Sequence, residues 1–598
     1  MRLILQIIII CLLAANCFLF YTMTVSFDRA RKANVILAGK LQTVSGAKTP
    51  AEKSRRSGDF ANREYFSPDA VDGGELVTVI SSDPPGLNPL LTNEKSASDI
   101  FALCSLTLAE RDWKHREKYR PVLAESFSIS PDNKSYRIKL RKGVKWQSFT
   151  DPDTGIFHPA KEITAHDIKF TVDTILDTGV NCAALRGYYS DISEVKIIND
   201  HEFIVSWKKE YYGSKASTLS LFPLPRHFYC PDGKFDAQKF NNAHSKNRMI
   251  ISCGAYILRS WENSKEIVLE RNPDYIGFDF GAAPPIPRRI LKIIKLPNTR
   301  FQALLAGKIN LLGLSAEQWF TRTDTPEFNS GAIRKIRYPD YTSYNYIGYN
   351  HKVHCFGDAA TRRALTMLVN RQAILDKLYF GCGKISKGPF IPGSVYSDSK
   401  LEPLPFAPEE AKKLLAQAGW KDTDGDGILE RDGKKFTFTM LQISGATTQH
   451  RMLLMVKNDF AAAGIDMKLQ TVEWNVLLER LKNQKFEACS LGWANSDDPD
   501  LYQIFHSSQS NIGGNNFISF RNNELDKLIV DLRREFDMDK RIKMNHRIEK
   551  LIHEEQPYTF LFCFDSLVAV SSQFKNIKLY PNRIYPISFY WQEDEKNE

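Results

Sequence analysis

Residues 121–146 read PVLAESFSISPDNKSYRIKLRKGVKW. Within them, SYRIKL (Ser135–Leu140) puts Tyr136, Ile138 and Leu140 on one face and Arg137 and Lys139 on the other. Such alternation marks a strand with one face buried. Pro131-Asp132-Asn133 ahead of it is turn chemistry, and Gly143 leads into a second short strand at Val144–Trp146. Just downstream the period changes. Over Thr164–Leu176, Ile168, Val172 and Ile175 share a helical face, Thr164 can cap, and Asp167 stands where a capping box needs a carboxylate. Strand and helix periods so close together predict a mixed α/β fold.

The same alternation of elements continues outward. Gly254–Leu258 and Ile267–Glu270 predict a hairpin turning at Asn263-Ser264. Asp358–Tyr379 predicts one long helix, with an apolar stripe that includes Leu365, Leu368, Ile374 and Leu378, stopped by Gly381. Pro408–Ala418 is a shorter helix with Pro408, Glu409 and Glu410 in its first turn and Gly419 after it. Met452–Ala463 and Asn475–Leu481 are further helices, and no repeat of 20–50 residues is visible.

The chain has 598 residues, 25% charged and 43% hydrophobic. These values exclude a wholly disordered chain, a collagen-like repeat and a polytopic membrane protein. Lys plus Arg exceeds Asp plus Glu by 80 − 70 = 10, without the runs of like charge that mark a nucleic-acid tail. Residues 3–25 carry no charge. A helix of that length rises about 34 Å, enough to cross a bilayer. They predict an uncleaved transmembrane anchor, with a cleaved signal peptide as the alternative; Asn16 before Cys17 is a poor lipoprotein site. The positive-inside rule alone would place the later residues in the cytoplasm, because Arg29, Arg31, Lys32 and Lys40 follow the span; whole domains are nevertheless exported despite local charge. Residues 26–71 predict a polar stalk, with the folded part starting near Gly73. Beyond Cys11 and Cys17 there are eight cysteines and no C-x-x-C pair, so no zinc ribbon or thioredoxin motif is expected.

Several segments occur together in a telling order: DPPGLNPLL (83–91), the 121–146 stretch, ITAHDIKFTVDTIL (163–176) and GAYILRSWENSKEIVLERNPDY (254–275). YNYIGYN (344–350), PFAPEEAKKLLAQAGW (405–420) and RLKNQKFEACSLGWANSDDPDLYQIFHS (480–507) follow. The ordered set, over about residues 72–560, resembles the family 5 extracellular solute-binding proteins, receptors of ABC importers. The resemblance implies a two-lobed, periplasmic-binding-protein-like α/β fold (type II) with an inserted subdomain, here behind the anchor. It implies lobe I at 72–112, 221–334 and 561–598, the inserted subdomain at 113–220, and lobe II at 335–560. It also implies a monomer without cofactor or nucleic-acid partner. Such a receptor captures a peptide, pairs it like an added strand, and delivers it to permease and ATPase subunits from outside the inner membrane. A non-peptide solute such as an oligosaccharide or nickel chelate, or a sensing or chaperone-like role without a transporter, remains the alternative.

The resemblance places ligand contacts at Trp493, Asn495, Ser496, Asp497, Asp498, Tyr346 and Asn350. Family members usually carry an Asp at the position of Asn495, pairing the peptide α-ammonium. A neutral amide supplies no ion pair. Either Asp497 or Asp498 replaces it, or the ligand has no free ammonium there; both carboxylates also suit capping a helix near Pro499. Asp422, Asp424, Asp426 and Gly427 copy half of an EF-hand loop, but Gly433 stands where its bidentate Glu is needed, so they are a weak metal candidate beside a plain turn. His351-x-x-His354-Cys355 has metal-like spacing and no further ligand nearby in sequence. Cys230 and Cys253 are disulfide candidates. No nucleophile elbow, P-loop or complete zincin motif is present, so no enzyme is expected.

Overall fold

A computed structural model describes residues 58–592, except Asn93, Asn495, Ser496 and Asn582. The expected anchor at 3–25 and the stalk up to residue 57 lie outside the described residues. Among those described, no helix is long and apolar enough to cross a membrane.

Four sheets organise the chain. Glu75–Ile80 lies parallel to Arg288–Ile293, which continues antiparallel into Glu266–Arg271 and Tyr256–Glu262. The last two strands form the expected hairpin, with Ser264 at φ 58° in its turn. Ser135–Leu140 sits inside an antiparallel sheet of Ile192–Asn199, Glu202–Trp207 and Ala124–Ile129, and Tyr136, Ile138 and Leu140 are its buried face as the alternation requires. One core underlies these two sheets.

The sheet of the second lobe runs Asp466–Val472, Thr437–Ile443, Ala488–Ala494, Ser343–Tyr349 and Tyr558–Phe560. Its inner strands are buried on both faces. Tyr344 and Tyr346 enter one core while Ile347 and Tyr349 enter the other. Two consecutive strand pairs carry the chain between lobes: Ile333–Pro339 leads into Ser343–Tyr349, and Tyr558–Phe560 leads back into Phe562–Ser571. Phe562–Ser571 joins the lobes' connecting sheet, pairing Leu311–Gly313, Ile333–Pro339 and Gly383–Ile385.

Two expectations fail locally. The folded part begins before Gly73, because Phe60, Ala61 and Asn62 are buried and Phe60 stacks on Phe280 at 4.9 Å. Their polar neighbours disguise them in the sequence. The long helix at 358–379 is two helices, Ala359–Leu368 and Arg371–Tyr379. Asn370 breaks it, accepting from the Ala373 N–H at 3.0 Å while its own N–H goes to Asp459. Such local side-chain bonds compete with the helix ladder. The Thr164 cap holds, its N–H reaching Asp167 at 2.9 Å, and the helix spans Ala165–Leu176.

Gly254 is a further constraint. A Cβ there would lie 2.6 Å from the backbone of Cys104 and Ser105, which cannot swing away. Gly254→Ala is expected to cost about 1–3 kcal/mol, read as a lower urea midpoint with an unchanged slope.

Candidate functional site

The strand Ala488–Ala494 is followed in the chain by Asp497 and Asp498, which line a cavity. Ser343–Tyr349 pairs along its whole length, from Tyr349↔Ala488 to Ser343↔Ala494. On its other side, Thr437–Ile443 reaches only Ala488 and Cys489. Among the described residues, Ser490–Ala494 therefore keep an edge without a strand neighbour; Gln449 Nε2 donates to the Ser490 carbonyl at 2.9 Å. Trp493 is half-buried there, donating from Nε1 to the Tyr558 hydroxyl at 3.3 Å.

The chain then delivers three carboxylates into contacts with the other lobe. Asp497 accepts from Arg116 at 2.7 Å, and Asp498 from Arg111 at 2.5 Å. Asp500 accepts from the Tyr211 hydroxyl at 2.7 Å and lies 3.1 Å from Arg533 Nε. Arg533 stacks over the Tyr211 and Tyr502 rings, and its carbonyl accepts from the Tyr212 N–H at 2.7 Å. Burial foremost, then the Asp500 charge, pushes the Tyr211 phenol well up, so it stays a donor.

Three cavities share walls around these contacts. One, of about 530 Å³, lies by Arg111, Arg116, Tyr119 and Tyr188. A second, of about 240 Å³, adds Tyr212, Asp498 and Asp500. A third, of about 440 Å³, adds Phe390, Tyr396 and Asp497. The three cavities share Arg111, Arg116, Tyr188, Tyr212 and Asp498 among their walls.

Residues 118–515 match the model of the bacterial extracellular solute-binding proteins, family 5 middle region. The oligopeptide-binding protein AppA of Bacillus subtilis is 30% identical over 577 residues, covering 94% of this chain and 99% of that protein. The chain belongs to family 5 of the bacterial extracellular solute-binding proteins. The structure of AppA in complex with a nonapeptide superposes with a TM-score of 0.79 at 30% identity, covering 88% of this chain and 100% of that one. Di/tripeptide-binding protein 1 of Pseudomonas aeruginosa is 27% identical, covering 81% of this chain and 88% of that protein. The Helicobacter pylori DppA structure, at 21% identity and a TM-score of 0.75 over 88% of this chain and 99% of that one, shares the fold.

Within this family 5 protein the expected site residues separate. Asp497 and Asp498 line the cavities, Trp493 packs half-buried against Tyr346 and Phe517, and Asn495 and Ser496 lie outside the described residues. Tyr346 does not face the groove: it is buried and stacks on Tyr558 at 4.1 Å. Asn350 is also buried, donating to the Phe486 carbonyl at 2.9 Å, so it ties a loop instead of a ligand. Asp497 and Asp498 do not cap a helix. The helix begins at Tyr502, and Asp500 receives the Tyr502 N–H. Arg111, Arg116 and Tyr211 escaped sequence reading because their partners are hundreds of residues away, and Arg533 because no local pattern links it to Asp500.

The Cys230–Cys253 bond does not form; the eight cysteines among the described residues are free and buried. Cys230 ends the helix Arg226–Tyr229, while Cys253 is tied by its N–H to the Cys104 carbonyl. Burial pushes the Cys253 thiol up to about 12, which leaves it unreactive. Peptide mapping after alkylation in denaturant without reductant should find Cys230 and Cys253 both labelled; a disulfide-linked pair would contradict this.

Asp422, Asp424, Asp426 and Glu430 bring carboxylate oxygens within 4.8 Å of one another. The Lys435 ammonium already pairs Asp424 at 3.0 Å and also Asp426. Glu430 accepts from Thr423, fixing the turn. His351 is buried with its ring pushed down to about 3, its Nε2 near the Pro557 carbonyl, and it stands in no metal-ligating group among the described residues.

Proposed function

We propose that this chain is the peptide-capturing receptor of an ABC importer, working outside the cytoplasmic membrane and performing no catalytic step. The observation that carries this reading is the edge Ser490–Ala494, which lacks a strand neighbour among the described residues and is followed within a few residues by Asp497 and Asp498 on the cavity walls. An extended peptide completes such an edge through main-chain hydrogen bonds, which are indifferent to side chains. The 30% identity with an oligopeptide-binding relative over nearly the whole chain supports peptide over other solutes. The connected cavities favour a peptide of several residues over a dipeptide.

Closure supplies the affinity. A ligand shifts the lobes only by contacts made better in the closed state. In that state Asp497, Asp498 and Asp500 meet Arg116, Arg111 and Tyr211. The receptor is a monomer that hands its peptide to permease and ATPase subunits, and residues 3–25 tether it. Intact mass of membrane-extracted protein tests the tether; a mature N-terminus near residue 26 would contradict it. Mass spectrometry of ligand released from the purified protein tests the function: peptides are expected, and a sugar or metal chelate would overturn the reading.

A further inference from the structure

Resting on the peptide reading above, we propose that the cavity around Glu110 is a subsite for a cationic group of the bound peptide, with Glu110 as its counter-ion. The argument begins with charges already spent. In the groove, Asp497 and Asp498 hold Arg116 and Arg111. Asp500 holds Arg533. Each of these three carboxylates already has a cationic partner, so none is the first choice for an ammonium. Asn495, where a family member usually carries an anion, is neutral.

Glu110 differs. It sits on the short strand Ala109–Arg111 and lines the cavity of about 530 Å³ as well as a neighbouring one of about 610 Å³. Its side chain keeps accessible surface where it lines the two cavities. Asn62 Nδ2, at 3.4 Å, is a long hydrogen bond, and no cation among the described residues stands within salt-bridge distance. Burial raises the Glu110 carboxyl; Asn62 and then Arg116 oppose this only in part. A cation arriving beside it restores the charged form and supplies the missing partner.

The walls suit the same ligand. Trp113 and Tyr585 stack at 4.2 Å, and Tyr188 and Tyr189 complete an aromatic side. Aromatic faces attract a desolvated ammonium or guanidinium, and the long apolar stem of Lys or Arg packs against them. Arg111 and Arg116, which border the cavity of about 530 Å³, would repel a cation, but each is neutralised by its aspartate across the groove. Arg289, on the wall of the cavity of about 610 Å³, has no such partner among the described residues, which places the cation on the side of the smaller cavity. The ammonium comes from one of two sources, a Lys or Arg side chain or the peptide's own terminus, and the test separates them.

The test is calorimetric titration of the full chain with matched peptides of the length found bound, carrying Lys, Gln or Glu at each position in turn, each with a free and an acetylated N-terminus. At one position Lys is expected to bind at least ten times more tightly than Gln, and Glu more weakly still. If the terminus is the cation, acetylation instead produces that loss. In Glu110→Gln the preference should vanish while the Gln, acetylated peptide binds as before; Glu110→Asp should retain part of it. Peptide binding by the wild-type protein with no preference for any cation, or a preference for Glu, overturns the subsite but leaves the peptide function standing. A preference that survives in Glu110→Gln also overturns it. No peptide binding at all by the wild-type protein would instead be failure of the function itself. Should Glu110→Gln not fold, the wild-type series alone decides.

Discussion

Replacing Asp500 with alanine is expected to weaken peptide binding about a hundredfold. Asp500 is the hub of a contact that spans the lobes. The Tyr211 hydroxyl donates to it at 2.7 Å, and Arg533 lies 3.1 Å away. The Arg533 and Asp500 side chains are only 16% and 17% exposed, so water screens the pair poorly. Deleting the carboxylate strands a guanidinium held between two tyrosine rings. Across the groove, losing a poorly hydrated hydrogen bond to a carboxylate costs about 3 kcal/mol, and each 1.4 kcal/mol is tenfold in affinity. The loss of the Tyr211 bond falls on the closed state, because Tyr211 lies across the groove from Asp500, whereas Asp500 and Arg533 share the second lobe. Calorimetry should show the weakened Kd, and solution scattering should show a larger radius of gyration at the same peptide concentration. An unchanged Kd would mean that this contact exists equally in the open state.

Asp498→Asn and Arg111→Ala should each weaken binding roughly thirtyfold, from a pair worth about 2 kcal/mol at intermediate burial. The side chains of Arg111 and Asp498 are 14% and 28% exposed, between surface and core. The discriminating feature is the ligand terminus. Because Asp498 holds Arg111 and not the peptide, free and N-acetylated peptides should lose affinity equally in Asp498→Asn. A loss confined to free peptides would restore Asp498 as the reader of the ammonium. The double variant Arg111→Ala/Asp498→Ala should lose less than the two single losses combined, since the second change removes a partner already stranded.

How far the sequence reveals this molecule depends on the range of each interaction. Tyr136, Ile138 and Leu140 declare a strand because the period of two is local, and Thr164 with Asp167 declares a helix start for the same reason. The ordered motifs carry the two-lobed fold because they span the chain. Phe60 was hidden by its polar neighbours: its partner Phe280 is 220 positions on. Asn370 looked like a helix interior, since the stripe on either side of it continues. At the site, Trp493, Asp497 and Asp498 were legible from one motif. Their meaning was not, because Arg116 and Arg111 lie 381 and 387 residues earlier. Tyr346 and Asn350 were drawn in by their motif, but alternation along Ser343–Tyr349 turns Tyr346 into the core.

Hydrogen exchange at the strand Ala488–Ala494, read by mass spectrometry with and without saturating peptide, tests strand addition in the groove most directly. The amides within Ser490–Ala494 that face away from Ser343–Tyr349 are expected to become protected when peptide binds, because the ligand's main chain occupies the edge that Thr437–Ile443 leaves open. Saturating peptide that leaves exchange in Ser490–Ala494 unchanged would contradict the account.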